Sequence, residues 1–510
     1  MAGTPQSVTY READQNYFAR RTLRRHAGVW SLWALGVAAV ISGDFFGWNF
    51  GLEFGFGGLL VATVVITVMY LGMCYSIAEM SPAMPHTGGA YSFGRNAMGP
   101  WGGFITGIAE SIEYIVTPAV IVVGIGGYMG SIVNDLFSWD IAQPLWWLIF
   151  YAIFVGLNVL GIEATFRFSV FICLAALGIL AVFWIGALTK LDFQTYAIDA
   201  GGGWFPDGVS GVFYAIPFAI WFYLAIEELP LAAEESHDPK RDIPRGTMYG
   251  LFTLIVAAFL TLFLSAGIAP GSAEVGASAE PLFLGFQTIF GDGTAASLLS
   301  LVAVTGLVAS FHTIIFAYGR NIFSLSRAGY FPHALSVTNR RRQTPHVALI
   351  FGAVIGYALA WILYEYGGGS VGAALLTMAV FGAVISYVMQ MVSFVLLRRN
   401  QPHIARPYRS PLGTTGAIVA GVIAAVSLVS LFFNADYRPG VIGVAIWFVA
   451  AIAYFALVGR HRLVLSPEEE FAMTRGEHGD PEAEGYGTTH ISDLVDQGAD
   501  VTVDPEPAGS

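Results

Sequence analysis

The stretch Val40-Ile41-Ser42-Gly43-Asp44-Phe45-Phe46-Gly47-Trp48-Asn49 decides how the chain is read. It lies inside an apolar run over 30–54, long enough to cross a bilayer, which takes about 20 residues. Its middle nevertheless holds a serine, glycines and a carboxylate. A charge near the bilayer centre is costly unless it is paired or faces water. Glycines there weaken the helix and free backbone groups, which is tolerated only where they line a cavity or are buried in protein. The run therefore reads as a membrane helix broken to make a binding site.

Working outward, the whole composition is that of a polytopic membrane protein. Apolar residues make up 55% and charged residues 12% of the 510, with 60 glycines, and mean hydropathy is +0.63. Soluble domains carry roughly twice that charge. Twelve spans are expected, at 30–54, 57–80, 101–133, 144–160, 168–189, 208–234, 246–269, 295–324, 345–364, 372–397, 416–433 and 440–458. With the connections alternating, one side holds 22 of the 24 Lys and Arg residues and the other holds only Lys190 and Arg438. The positive-inside rule then puts both termini in the cytoplasm of a cell membrane. Residues 1–29 are expected to form a short cytoplasmic segment and 30–460 the twelve-span body. From Ser466 onward twelve acids face a single base, Arg475, so 461–510 is expected to be an acidic, disordered tail. No cleavable signal peptide is expected, since the first apolar run is long and follows a charged, polar segment. The cysteines Cys74 and Cys173 lie in separate apolar runs and read as core residues.

The sixth span repeats the interruption of the first. It reads Ala219-Ile220-Trp221-Phe222-Tyr223-Leu224-Ala225-Ile226-Glu227-Glu228-Leu229-Pro230. Broken spans at corresponding positions mark inverted-repeat transporters. Two five-helix repeats, about 30–190 and 208–398, plus two extra helices at about 411–459, account for the pattern.

Ordered motifs then carry a family. These are Glu79-Met80, Pro85-His86-Thr87-Gly88-Gly89-Ala90-Tyr91 and Gly99-Pro100-Trp101-Gly102-Gly103-Phe104 with Gly107. Later come Asp238-Pro239-Lys240-Arg241-Asp242-Ile243-Pro244-Arg245-Gly246, Leu325-Ser326-Arg327-Ala328-Gly329-Tyr330-Phe331-Pro332 and Arg406-Pro407-Tyr408-Arg409. Over about residues 30–460 the chain resembles the amino acid–polyamine–organocation (APC) permeases. The resemblance implies an all-α, twelve-helix membrane protein of leucine-transporter-like (LeuT) architecture, a 5+5 inverted repeat with helices 1 and 6 broken. Ser42–Asn49, Ala109-Glu110-Ser111-Ile112-Glu113-Tyr114 and Thr117-Pro118-Ala119-Val120 look most like the ethanolamine permeases.

Amino-acid carriers of that family bind the substrate carboxylate on free amides of a Gly-Ser-Gly-like break. Here Ser42, Gly43 and Asp44 occupy the triplet, with an acid at the last glycine. An acid would repel a carboxylate and suit an ammonium compound that lacks one, such as ethanolamine. The alternative is that Asp44 has an internal partner or takes a proton. Glu110 and Tyr114 share one stripe of the third span and Glu113 its neighbour, and intramembrane acids are functional candidates. Either glutamate touches substrate or proton, or both are bound to a neighbouring helix. The resemblance implies gating or proton coupling for Glu227. Trp221 and Tyr223 are candidates to cap the pocket, against plain packing. His312 in the eighth span relays protons or hydrogen-bonds across helices. Many proton-coupled relatives carry a lysine in the fifth helix; this chain has alanine there, which leaves proton, sodium or exchange open.

The function implied is import of ethanolamine or a similar small amine. A permease for amino acids, GABA or polyamines is the rival, and a nutrient sensor on a permease fold the remote alternative. No zinc spacing, nucleophile elbow or phosphate loop argues for an enzyme or a cofactor. The basic loop Arg340-Arg341-Arg342 reads as a topology signal or an anionic-lipid contact, not nucleic-acid binding.

Overall fold

The computed structural model describes residues 8–13, 15–291, 294–366, 371–476 and 502–508. Helices dominate because the sequence alternates long apolar runs with short polar connections, and a helix satisfies every backbone group inside a membrane. Among the described residues, ten helices are long and apolar enough to cross a bilayer, or eleven when one bent pair counts as a single span. That pair, Val29–Phe45 with Trp48–Phe54, is the expected first span and bends by 41°. The expected eighth span coincides with the 34-residue helix Thr294–Arg327.

At the other expected spans lie the helices Phe56–Ala83, Gly89–Phe137, Gln143–Leu160, Ile162–Leu188, Gly208–Trp221 with Ile226–Glu235, Pro239–Ala266, His346–Tyr366, Val371–Asn400, Gly413–Ser430 and Arg438–Leu457. The third starts twelve residues, about three turns, earlier than the hydropathy suggests. Gly99 turns at φ 78° inside it, a value a side chain resists, and Pro100 restarts the helix without needing an N–H partner. Two groups of helices share the core. The first span packs on the seventh and the second on the sixth and seventh, while the third packs against the eighth and tenth.

Both chain ends meet on one face. Strand Thr9–Ala13 pairs in parallel with Leu463–Val464, Tyr10 opposite Leu463. A short helix, Pro467–Met473, follows. This departs from the expectation for 461–510. Residues 461–476 are folded, and Glu468, Glu469 and Glu470 are buried. Composition misled because these acids have arginine and tyrosine partners far away in sequence. Burial alone would raise the Glu468 carboxyl, but Arg327 and His86 beside it outweigh burial and hold it down to about 2. Its stabilising contribution is therefore full above the ordinary glutamate range and is lost only as the pH falls toward that value.

The family motifs have a structural meaning here. Glu79, buried at the end of the second span, accepts from Arg398 Nε (2.9 Å), Arg398 Nη2 (2.5 Å) and the Ser410 amide (2.7 Å). Arg406 Nε lies 3.3 Å from the same carboxylate. One acid thus folds the connection between the tenth and eleventh spans. Glu79→Ala would remove the acid partner of two guanidinium groups and leave the Ser410 backbone N–H without its acceptor. It should lower stability by about 2–4 kcal/mol, read as a lower apparent melting temperature of the purified protein in detergent.

Candidate functional site

The first break is built by a side chain inserted into the helix ladder. Ser42 N–H does not reach back to the carbonyl four residues earlier. It donates instead to Ser310 Oγ (2.9 Å), which in turn donates to the Ala38 carbonyl (2.7 Å). A hydroxyl from the eighth span therefore bridges one opened turn, a recognised cause of helix bending. Helical geometry resumes over Ser42–Phe45, and the chain leaves it at Phe46, φ −161° and ψ 147°. Gly47 follows at φ 97°, a conformation that favours glycine. The break thus spans two points, at Ser42 and at Phe46-Gly47, rather than the single triplet expected.

The sixth span breaks directly opposite. Its helix stops at Trp221, and Ala225 takes the left-handed conformation at φ 87°, which costs about 1–3 kcal/mol for a residue with a Cβ. Glu227 holds that turn, since its Oε1 accepts from the Ala225 amide at 3.2 Å. Trp221 ties the two breaks together by donating its indole N–H to the freed Phe46 carbonyl at 2.9 Å. The two broken segments touch at Gly43, where a Cβ would strike the Trp221 carbonyl oxygen. Trp48 stacks on Phe222 with ring centroids 5.4 Å apart.

Two carboxylate environments result. Asp44 is only 1% exposed, and neither of its oxygens has a hydrogen-bond partner. Tyr223 and Thr261 are its polar neighbours. Farther along, Glu113 and Glu227 meet at one hydroxyl. Tyr387 OH lies 2.6 Å from Glu227 Oε1 and 3.4 Å from Glu113 Oε1, and the second oxygen of each acid is unpartnered. Tyr70 OH is 2.9 Å from Tyr387 OH, and its ring lies 5.1 Å from that of Tyr223. Tyr223 OH pairs with Thr67 at 2.7 Å. A line of tyrosines therefore leads from Asp44 to the Glu113–Glu227 pair. Glu228 is fully buried with both oxygens unpartnered.

Not every expected residue joins. Glu110 turns to the eighth span, where Asn321 Nδ2 donates to it at 3.2 Å, and Tyr114 OH lies 3.5 Å from its other oxygen. His312 is drawn away from the breaks. Its ring nitrogens lie 3.1 Å from Asn158 Nδ2 and 3.3 Å from the Thr165 carbonyl, between the fourth and fifth spans, and its ring packs on Phe168. Of the two expectations stated for His312, the bond across helices is present in this geometry. Sequence reasoning missed Tyr387 and Tyr70, single tyrosines in the tenth and second spans with nothing around them to mark a partner. Ser310→Ala should leave a buried N–H and a buried C=O without their bridge, at about 1–3 kcal/mol. A lower apparent melting temperature for this variant, and a smaller drop for Ser310→Thr, would check it.

The geometry agrees with what the chain resembles. The amino acid permease family matches residues 28–458. An uncharacterized transporter of Rhizobium meliloti (strain 1021) is 27% identical over 425 residues, covering 81% of this chain and 88% of its own length. An uncharacterized amino acid permease of Bacillus subtilis (strain 168) is 24% identical over 450 residues, covering 85% and 94%. The D-serine/D-alanine/glycine transporter of Escherichia coli (strain K12) is 23% identical over 464 residues, covering 88% and 97%. Two facing broken spans in a bundle of long apolar helices, matched by this family over nearly the whole chain, have one reading: the chain belongs to the amino acid permeases of the APC superfamily, multi-pass membrane transporters and not enzymes.

Proposed function

We propose that this permease imports a small amine that carries no carboxylate, ethanolamine above all, across the cytoplasmic membrane. The observation that supports this most is Asp44, buried between the two breaks with both oxygens free of partners. An unpaired buried charge is costly, and an ammonium group entering the site removes that cost. An amino acid would bring its own carboxylate against Asp44. The 22-to-2 division of basic residues supports a cytoplasmic location for both chain ends.

The coupling groups in this reading are Glu113 and Glu227. Two carboxylates around the Tyr387 hydroxyl repel one another, and a proton between them relieves that repulsion. Their link to Asp44 through Tyr70 and Tyr223 supports communication between substrate and proton. A second reading, uptake of small neutral amino acids, draws on the relative named for D-serine, D-alanine and glycine.

Uptake of labelled ethanolamine into proteoliposomes separates the two. Asp44→Asn should cut kcat/KM by about 30-fold or more, the scale of losing one buried charge pair, while the protein still purifies as a folded species. Glycine or D-alanine competing better than ethanolamine would favour the amino-acid reading. For coupling, Glu227→Gln should abolish accumulation driven by an imposed pH gradient and leave substrate exchange intact. Accumulation driven by sodium instead would remove the proton from the scheme.

A further inference from the structure

The face that carries both chain ends holds a second cluster of buried charges that the substrate site does not use. Arg327, at the end of the eighth span, divides one guanidinium between two partners. It donates to Glu234 Oε2 at 2.9 Å and Oε1 at 2.5 Å, and also to Glu468 Oε1 at 2.6 Å. Glu234 belongs to the terminal segment of the sixth span, beyond its break, and also accepts from the Thr87 amide at 3.2 Å. Glu468 belongs to the short helix after the last span, and Ser324 Oγ donates to it at 2.7 Å. The neighbouring Glu469 secures that helix elsewhere, accepting from Arg95 Nε (2.6 Å), Tyr91 OH (2.7 Å), Tyr10 OH (2.6 Å) and Tyr330 OH (3.0 Å). Phe471 packs against His86 with ring centroids 5.3 Å apart.

The arrangement is asymmetric in a useful way. Glu469 binds only the third span, the end of the eighth and the N-terminal strand, which form one side of the bundle. Through Arg327, Glu468 acts on the other side, the broken sixth span. Alternating access moves such broken helices relative to the rest. A guanidinium whose Nη2 is shared between Glu468 and Glu234 is already oriented for Glu234 and loses little freedom in pairing with it. Released from Glu468, it would be free to turn away and the pair would weaken. Burying two acids here is offset only by these partners, so the segment is either docked with its full set of bonds or detached.

We infer that residues 463–473 form a latch that keeps this face of the transporter closed by fixing Arg327 against Glu234. The test uses the full chain in liposomes with Cys74 and Cys173 replaced by alanine. Ala233→Cys, buried in the sixth span's terminal segment, reports opening by its reaction with a membrane-impermeant maleimide added on the tail side. Glu468→Gln should raise the labelling rate on that side by about tenfold, the scale of one lost charge-assisted hydrogen bond. Labelling from the opposite side should fall or stay the same. An unchanged rate in folded Glu468→Gln protein overturns the latch, as does equal acceleration from both sides, which would signal general loosening. Should Glu468→Gln fail to fold, a protease site inserted after residue 460 allows the segment to be cut and removed at high salt after reconstitution. Faster labelling then supports the latch, and an unchanged rate with the segment gone overturns it.

Discussion

A carboxylate taken out of water has to be neutralised, and this constraint organises the molecule. Asp44, Glu110, Glu113, Glu227 and Glu228 are all buried near the two helix breaks. Among the described residues none of the five has an ion-pair partner. Arginines are present in the protein interior, but at the face of the chain ends, where Arg95, Arg320 and Arg327 are matched to Glu469, Glu235, Glu234 and Glu468. The fold therefore keeps two populations of buried acid. One is compensated by arginine and serves as structure. The other has no arginine beside it and lies near the broken backbone of two spans.

The breaks themselves follow from the same economy of polar groups. A helix opened inside an apolar bundle exposes amides and carbonyls that cost free energy if left alone. Ser310 satisfies one amide and one carbonyl of the first span with a single hydroxyl. Trp221 satisfies the next carbonyl with its indole, and Glu227 satisfies an amide of the sixth span. Each break is thus stabilised by a residue that also faces the other elements of the site. Among the side chains that satisfy the opened backbone, Trp221 is also the one that ties the two broken spans to each other.

How much of this was legible follows from the range of each interaction. The break in the first span was visible because four residues of the wrong polarity stand together between Ser42 and Gly47. The sixth was visible because Glu227, Glu228 and Pro230 interrupt an apolar run. Hydropathy also found the spans, since each signal is contained in about 20 consecutive residues. Tyr387 was invisible: its partners are Glu227, Glu113 and Tyr70, each more than a hundred residues away, and a tyrosine in a membrane span usually just packs. His312 looked functional for the converse reason, its partners Asn158 and Thr165 being equally remote. The same failure explains the tail. Glu468-Glu469-Glu470 taken locally is a solvated acidic run, and only the folded bundle brings Arg327, Arg95 and three tyrosines to it.

The sixth span joins the two populations of acid. Its break carries Glu227 and Glu228, uncompensated, and its far end carries Glu234 and Glu235, compensated by Arg327 and Arg320. The ten residues Ile226–Glu235 form one continuous 3-10 helix of about three turns between them. Neutralising Glu227 relaxes the constraint at the break. The pairs at Glu234 and Glu235 oppose any displacement of the far end. The segment therefore carries an acid without an ion-pair partner at one end and two ion pairs at the other. A transporter needs its moving segments held between two extremes, because a segment held too firmly would bind its solute without releasing it, and one held too loosely would leak.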